Sequence, residues 1–105
     1  MSIKDDIKKD ISSNKIIVYM KGSPEAPMCG FSAQVASILK TYQVPFASRN
    51  VLENEELRSA IKEYSDWPTI PQVYINGKFI GGCDIVTEMH NSGELRQVLE
   101  NEDII

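Results

Sequence analysis

The chain has 105 residues, a hydrophobic fraction of 42%, a charged fraction of 25% and a formal net charge of -4 at pH 7. This length suits one core, so we expect residues 1–105 to form a single domain. The acidic balance argues against a nucleic-acid surface or an anionic membrane surface, because both require a net basic face. No stretch approaches the roughly 20 apolar residues of a membrane span.

The N-terminal segment and the cysteine content bear on the compartment. Residues 1–6 include Asp5 and Asp6 and lack the apolar core of a secretory signal, and acids are rare in transit peptides. Two cysteines without a framework of others are typical of a reducing compartment, where thiols stay free. We therefore expect a cytoplasmic protein. The bacterial cytosol is the preferred setting, and the mature form of an organellar protein is the alternative.

The first half of the chain alternates helical and strand-like patterns. Isoleucines at a spacing of four in residues 3–11 predict an amphipathic helix, and the β-branched run 15–20 predicts a strand. A helix is predicted from residue 30 to about residue 40, followed by a strand in 44–51 and a charged helix in 53–64. This order is typical of a parallel βαβ unit. The apolar side chains of the middle helix share one face: Phe31, Val35, Ile38 and Leu39.

The second half predicts a hairpin and two helices. Residues 72–75 and 78–80 are predicted to be the two strands of this hairpin, because Asn76-Gly77 between them supplies the positive φ angles of a type I′ turn. Asp84 is predicted to cap the next helix, and Ser92 the last one. The complete order is α-β-α-β-α-β-β-α-α, which predicts a compact α/β domain.

Cys29 lies between the first strand and the next helix, in Cys29-Gly30-Phe31-Ser32. Unpaired backbone N–H groups and the positive end of the helix dipole favour a thiolate there, and Gly30 lets a ligand approach the backbone. The alternative is a small thiol that only packs in the core. Because Ser32 stands where a resolving cysteine would be, Cys29 cannot close a local disulfide. Its chemistry therefore needs a small thiol, another protein or a metal.

Two segments are candidates for holding a ligand near this thiol. Pro71 opens the third strand, and a cis Ile70-Pro71 bond would turn the Ile70 backbone outward to pair with a peptide-like ligand, although most X-Pro bonds are trans. Exposed N–H groups at Gly82 suit a carboxylate, while Asp84 suits an ammonium, so together they fit an amino-acid head group. The alternative for this second segment is a glycine-rich turn with an ordinary helix cap.

Cationic residues form a third set of candidates. Lys21 ends the first strand near the thiol, where a positive charge lowers a thiol pKa. Arg58 and Lys62 lie four residues apart on the charged helix, and their alternative is a solvated face with ion pairs such as Glu55 to Arg58. His90 is interpreted as a surface residue, and the second cysteine, at position 83, as a packed thiol.

Three blocks of the chain resemble the signatures of the monothiol, CGFS-type glutaredoxins. They are residues 21–32, which end in Cys-Gly-Phe-Ser, residues 67–72, Trp-Pro-Thr-Ile-Pro-Gln, and residues 81–86, Gly-Gly-Cys-Asp-Ile-Val. The blocks occur in order and at compatible spacing, and the similarity runs from about residue 3 to residue 101. Ser23, Met28 and Asn50 depart from the commoner residues of the family, and Met28 changes the rim next to the sulfur.

The resemblance implies a thioredoxin fold with a four-stranded mixed sheet flanked by about five helices. It also implies a cis peptide bond before Pro71 and a glutathione groove across Cys29. Cys29 would be both the nucleophile and the metal ligand.

The resemblance also implies roles for individual residues of the groove. Lys21 and Arg58 would pair with the glycine carboxylate of glutathione. The Ile70 backbone would pair with the cysteinyl part, and the Cys83 N–H together with Asp84 would bind the γ-glutamyl head. The other members of the expected glutathione site are Gly30, Phe31, Pro71 and Gly82.

Three functions follow from the resemblance and the thiol chemistry. The preferred one is a carrier that transfers a 2Fe-2S cluster to apo iron-sulfur proteins. Such a cluster needs four thiolates, so two chains and two glutathiones would complete it. The apo protein would be a monomer and the holo form a homodimer joined through the cluster. The alternatives are a weak glutathione-dependent thiol-disulfide oxidoreductase and a regulatory binding module for a BolA-like partner.

Overall fold

In a computed structural model, which describes residues 2–105, the fold centres on one mixed sheet. Its strands are β1 (Ile16–Met20), β2 (Ala47–Asn50), β3 (Gln72–Ile75) and β4 (Lys78–Gly81). The strand order is β2-β1-β3-β4. β1 runs parallel to β2 and antiparallel to β3, and β3 pairs antiparallel with β4. The predicted four-stranded mixed sheet is confirmed.

Helices cover both faces of this sheet. Those of residues 2–105 are α1 (Ile3–Ser13), α2 (Gly30–Thr41), α3 (Glu55–Ser65), α4 (Cys83–Ser92) and α5 (Glu94–Asn101), with a short 3-10 turn at Val51–Glu53. α2, α4 and α5 pack on one face, and α1 and α3 pack on the other. In the described part of the chain, no helix has both the length and the apolar character that crossing a membrane requires.

The central strand β1 supplies both layers of the core. Val18 and Met20 face the side of α2, α4 and α5, whereas Ile17 and Tyr19 face the side of α1 and α3. All four side chains are fully buried. Successive side chains of a strand point to opposite faces, so an uninterrupted apolar run is needed where both faces are covered. Burial on both faces holds β1 in the centre of the sheet. The loop that carries Cys29 begins where this strand ends.

Polar caps set the helix starts. α1 begins with a capping box, in which the Ser2 hydroxyl accepts the Asp5 N–H at 3.2 Å and the Asp5 carboxylate accepts the Ser2 N–H at 3.4 Å. α3 begins at residue 55 rather than at the predicted residue 53, because the Asn54 side chain accepts the Leu57 N–H at 3.1 Å.

The hairpin turn forms as predicted. Asn76 has φ 48° and Gly77 has φ 81°, the positive values that a two-residue type I′ connection requires. The turn places Lys78 opposite Ile75, and β4 then leads directly to the start of α4.

Phe31 lies in the first turn of α2 and is 61% exposed, so it does not share the burial of Val35, Ile38 and Leu39 on the same helical face. Two predicted helix caps are wrong. Asp84 does not cap α4, since Gly82 is the cap residue and makes no side-chain cap bond. Ser92 is the last residue of α4, and the cap of α5 is Gly93, although the Ser92 hydroxyl still accepts the Glu94 N–H at 3.3 Å.

Candidate functional site

A groove of about 470 Å³ opens beside the N-termini of α2 and α4. Its walls come from five separate segments of the chain: Lys21, Phe31, Arg58 with Lys62, residues 67–71 and residues 82–85. Every residue predicted for the glutathione site except Gly30 lines this groove. Cys29 and Gly30 stand at its lip, directly before the lining residue Phe31 in the chain.

Cys29 is the cap residue of α2, and its thiol is partly exposed. The Ser32 N–H contributes most to lowering the pKa of this thiol, followed by the Phe31 N–H, the Ser32 hydroxyl and the positive charge of Lys21. Partial burial acts in the opposite direction but does not cancel these donors. The helix start therefore favours a thiolate, as predicted from the sequence.

Ser32, at the position of a resolving cysteine, has a structural role. Its side chain is fully buried, and its hydroxyl oxygen accepts the Lys21 N–H at 3.0 Å. This bond ties the first turn of α2 to the end of β1. The position thus holds the thiol in place without supplying a second sulfur.

The loop before Cys29 is held by backbone bonds. The Met28 N–H donates to the Lys21 carbonyl at 2.9 Å, and Gly22 forms an antiparallel bridge with Pro27. Asn50 accepts the Gly22 N–H at 2.9 Å and the Leu52 N–H at 3.0 Å with one amide oxygen. Asparagine at this position therefore supplies the acceptor that fixes the loop.

The groove has a cationic wall. Lys21, Arg58 and Lys62 line it, and none of them enters an ion pair within residues 2–105. Ion pairs in this part of the chain join Arg49 to Asp10 and Lys78 to Glu102. The alternative predicted for Arg58, a pair with Glu55, does not form. These cations are therefore free to bind an anionic ligand.

The segment before β3 forms the floor of the groove. The Ile70-Pro71 bond is cis, and the Ile70 side chain is buried in the core beside α1 and α3. The Ile70 backbone makes no hydrogen bond to another backbone group of residues 2–105. The fully buried Gln72 holds the segment, because its amide donates to the Trp67 carbonyl at 3.1 Å and to the Thr69 carbonyl at 3.2 Å.

The start of α4 forms the far wall. The first N–H groups of a helix have no intrahelical partner, and at α4 the cap residue Gly82 supplies no side-chain acceptor for them. Gly82 and Cys83, at this helix start, line the groove. A side chain at Gly82 would place its Cβ 3.1 Å from the Pro71 carbonyl oxygen, so glycine permits the close approach of these two segments. Asp84 lines the groove beside these N–H groups.

Cys83 also lines the groove, but its side chain packs as predicted. It contacts the core beside α2, α4 and α5, and its sulfur lies 3.9 Å from the Thr87 hydroxyl. Thr87 in turn accepts the Gln34 amide at 2.9 Å, which links α4 to α2.

Sequence reasoning left several lining residues unassigned: Lys62, Trp67, Pro68, Thr69 and Ile85. The sequence alone is equally consistent with Lys62 as a charge on a solvated helix face, although its spacing of four from Arg58 indicates that both side chains lie on the same face of α3. Trp67 lines the groove and packs against Phe79, with ring centroids 5.7 Å apart. The sequence places Trp67 in the signature block 67–72, and this position could have indicated that it lines the groove.

Comparisons with known proteins agree with this geometry. The family model named Glutaredoxin matches residues 16–80. A mitochondrial monothiol glutaredoxin of Arabidopsis thaliana is 50% identical over 100 residues, covering 95% of this chain and 59% of the relative. Glutaredoxin 4 of Buchnera aphidicola is 50% identical over 99 residues, covering 94% of this chain and 92% of the relative. The chain thus spans little more than half of the first plant relatives, with 59%, 57% and 54% of their lengths.

A solved structure extends the likeness to three dimensions. The solution structure of the reduced apo form of a poplar glutaredoxin matches with a TM-score of 0.85 and 50% identity, covering 96% of this chain and 93% of that chain. Fold, signature blocks and overall identity therefore agree. The chain belongs to the glutaredoxin family, and within it to the monothiol members of the CGFS type, which have the thioredoxin fold.

Proposed function

We propose that the groove binds glutathione. Its volume of about 470 Å³ falls within the range of roughly 300–1,000 Å³ of small-molecule sites. Glutathione carries a carboxylate at one end and an amino-acid head group at the other. The cationic wall suits the first, and the free N–H groups of α4 with the Asp84 carboxylate suit the second.

This orientation of glutathione gives each lining residue a role. Lys21 and Arg58 pair with the glycine carboxylate, and the free Ile70 backbone pairs with the cysteinyl amide. The Cys83 N–H and Asp84 bind the γ-glutamyl head. This arrangement brings the glutathione sulfur to the lip where Cys29 stands. The path between them is bordered by Gly30, Phe31, Pro71 and Gly82.

We further propose that the protein carries a 2Fe-2S cluster as cargo and transfers it to apo proteins in the cytoplasm. The observation that supports this most is a partly exposed thiol, that of Cys29, with a lowered pKa beside a groove that has room for a second thiol. Within residues 2–105, no group of three or more His, Cys, Asp or Glu side chains could hold a metal ion. Cys29 therefore supplies one thiolate, and two glutathiones with a second chain supply the others.

Cys29 fits the part of metal ligand on its own geometry. Metal ligation requires a deprotonated thiol, and the N–H donors of α2 already favour that form. A Cβ at Gly30 would meet no heavy atom within 4 Å, so internal packing does not explain the glycine. The open space over Gly30 is available to glutathione or to the partner chain. The apo protein is proposed as a monomer, the holo form as a homodimer, and a BolA-like protein as a further partner.

A second candidate function is thiol-disulfide exchange with glutathione, which the lowered pKa of the Cys29 thiol also favours. Here the Cys29 thiolate attacks the glutathione sulfur of a mixed disulfide, and the target thiolate leaves and takes up a proton. A second glutathione thiolate then attacks the resulting disulfide, releasing glutathione disulfide and the Cys29 thiolate. Without a cysteine at position 32, no local disulfide replaces this second glutathione.

Anaerobic reconstitution with iron, sulfide and glutathione tests the carrier function. We expect a coloured species that needs glutathione and elutes as a dimer. Cys29→Ser should abolish iron binding, and Cys83→Ser, the matched control, should retain most of it. Equal loss of iron in both variants, or a coloured monomer, would show that the ligand set is wrong. Normal disulfide exchange in a protein that takes up no iron would favour the second function.

A further inference from the structure

The thioether of Met28 is an accessible sulfur that the proposed function does not use. Met28 is 68% exposed, more than any other large hydrophobic side chain of residues 2–105. Met20 is fully buried, and Met89 packs against the core beside α2, α4 and α5. Among the methionines of the described residues, Met28 alone therefore presents an exposed side chain.

The backbone holds Met28 in a fixed place next to Cys29. Its N–H donates to the Lys21 carbonyl at 2.9 Å, and the bridge between Gly22 and Pro27 closes the loop just before it. The Met28 Cγ lies 2.9 Å from the position that a Cβ on Gly22 would occupy, so the side-chain stem covers Gly22. The Met28 backbone and the first part of its side chain therefore have a defined place beside Cys29.

We propose that Met28 is a peroxide-sensitive modification site beside the Cys29 thiol. A hydroperoxide transfers its terminal oxygen to the thioether, so that an S–O bond forms while the O–O bond breaks. The sulfur loses two electrons, and the peroxide leaves as water or as an alcohol. The product is methionine sulfoxide, a polar and chiral group that a sulfoxide reductase converts back to the thioether.

Oxidation at this place changes the surface that surrounds the thiol. Met28 directly precedes Cys29, Phe31 follows it by two residues, and they are 68% and 61% exposed, so exposed apolar side chains stand on both sides of Cys29 in the chain. In the holo dimer proposed above, two such lips face each other across the cluster. A sulfoxide in that seam loses its hydration without a partner, which weakens the dimer. This consequence rests on the proposed function, whereas the oxidation itself does not.

Peptide mapping after peroxide treatment tests the modification. Cys29 is first blocked with iodoacetamide, because its thiolate also reacts with peroxide. The folded protein is then exposed to hydrogen peroxide, and the oxygen gained at each methionine is followed by mass spectrometry. We expect Met28 to be oxidised at least about tenfold faster than Met20 and Met89, which serve as internal controls. Comparable rates at Met28 and Met89 in the folded protein would overturn the proposal.

Reconstitution after oxidation tests the consequence. Wild type and Met28→Leu are treated with peroxide and then with dithiothreitol, which reduces reversibly oxidised cysteine but leaves methionine sulfoxide. We expect the treated wild type to give a holo-dimer yield about threefold lower than treated Met28→Leu, and sulfoxide reductase to restore it. Equal yields would refute the effect on the dimer. Failure of the untreated wild type to take up iron would instead contradict the carrier function and leave the mapping result standing.

Discussion

Charged side chains have partners within the chain at the hairpin end of the sheet, whereas those of the groove have none among the described residues. At the hairpin, the Lys78 ammonium donates to the Glu102 carboxylate at 3.0 Å, and the same carboxylate accepts the Asn76 amide at 2.8 Å. In the groove, Lys21, Arg58 and Lys62 lack any ion pair within residues 2–105. The comparison indicates that the charged side chains that stabilise this fold form ion pairs with other residues of the same chain. The groove charges are left for a ligand.

The sharpest test exchanges one charge from each region. Arg58→Gln should lower glutathione affinity on the order of ten- to a hundredfold, because a hydrogen bond to a charged group contributes about 1.5–3 kcal/mol. Lys78→Gln is the matched control and should bind glutathione like the wild type. Isothermal titration calorimetry measures both affinities, and thermal unfolding confirms that both variants fold. Equal affinities would remove the distinction between the two regions.

A second test concerns the donors at the thiol. Ser32→Ala removes the hydroxyl that helps to lower the pKa of Cys29. It keeps the backbone N–H of residue 32, which lowers this pKa more than the hydroxyl does. The pKa of the thiol should therefore rise part of the way toward its ordinary value. The rate of alkylation by iodoacetamide as a function of pH gives the midpoint, and that midpoint should move to higher pH. Ser37→Ala, an exposed position on the same helix, is the control. An unchanged midpoint in Ser32→Ala would contradict the assignment.

A third test addresses the other internal ion pair. Arg49 contacts Asp10 through two hydrogen bonds of 2.9 and 2.8 Å, with side chains 40% and 29% exposed. Arg49→Gln should lower the free energy of unfolding by about 0.5–1 kcal/mol, since partly exposed pairs are screened by solvent. Glutathione affinity should stay at the wild-type value. Urea unfolding and calorimetry check the two statements. A large loss of affinity would mean that internally paired charges also serve the groove.

The smallest effect is expected at the hairpin carboxylate. Hydrogen bonds from Asn76 and then from Lys78 lower the pKa of Glu102. Its ionised form therefore stabilises the fold above the pKa of the unfolded state, and this contribution disappears as the pH falls through the folded pKa. Glu102→Gln should melt slightly below the wild type at neutral pH, and the two melting temperatures should converge in acid. A constant difference at all pH values would assign the effect to something other than ionisation.

The sequence alone determined the elements and the position of the thiol. The isoleucine spacing of α1, the apolar run of β1 and the Asn76-Gly77 turn are local patterns, and each acts within a few residues. The placement of Cys29 at a helix start is local in the same sense. Its lowered pKa could therefore be predicted from neighbouring N–H groups. The family resemblance supplied the mixed sheet, the cis bond before Pro71 and the glutathione roles.

Tertiary structure alone decided which side chains meet across the groove. Arg58 and Lys62 read as ordinary charges of a solvated helix, and only the packing of α3 beside α1 turns them toward Lys21. Helical periodicity places Phe31 on one face with Val35, Ile38 and Leu39, but Phe31 lies in the first turn of α2 and is 61% exposed where it lines the groove. Helical periodicity specifies which residues share a face, whereas the neighbouring elements determine whether that face is covered. The reactive thiol can therefore be predicted from the sequence, whereas the groove beside it forms only when the separate elements pack together.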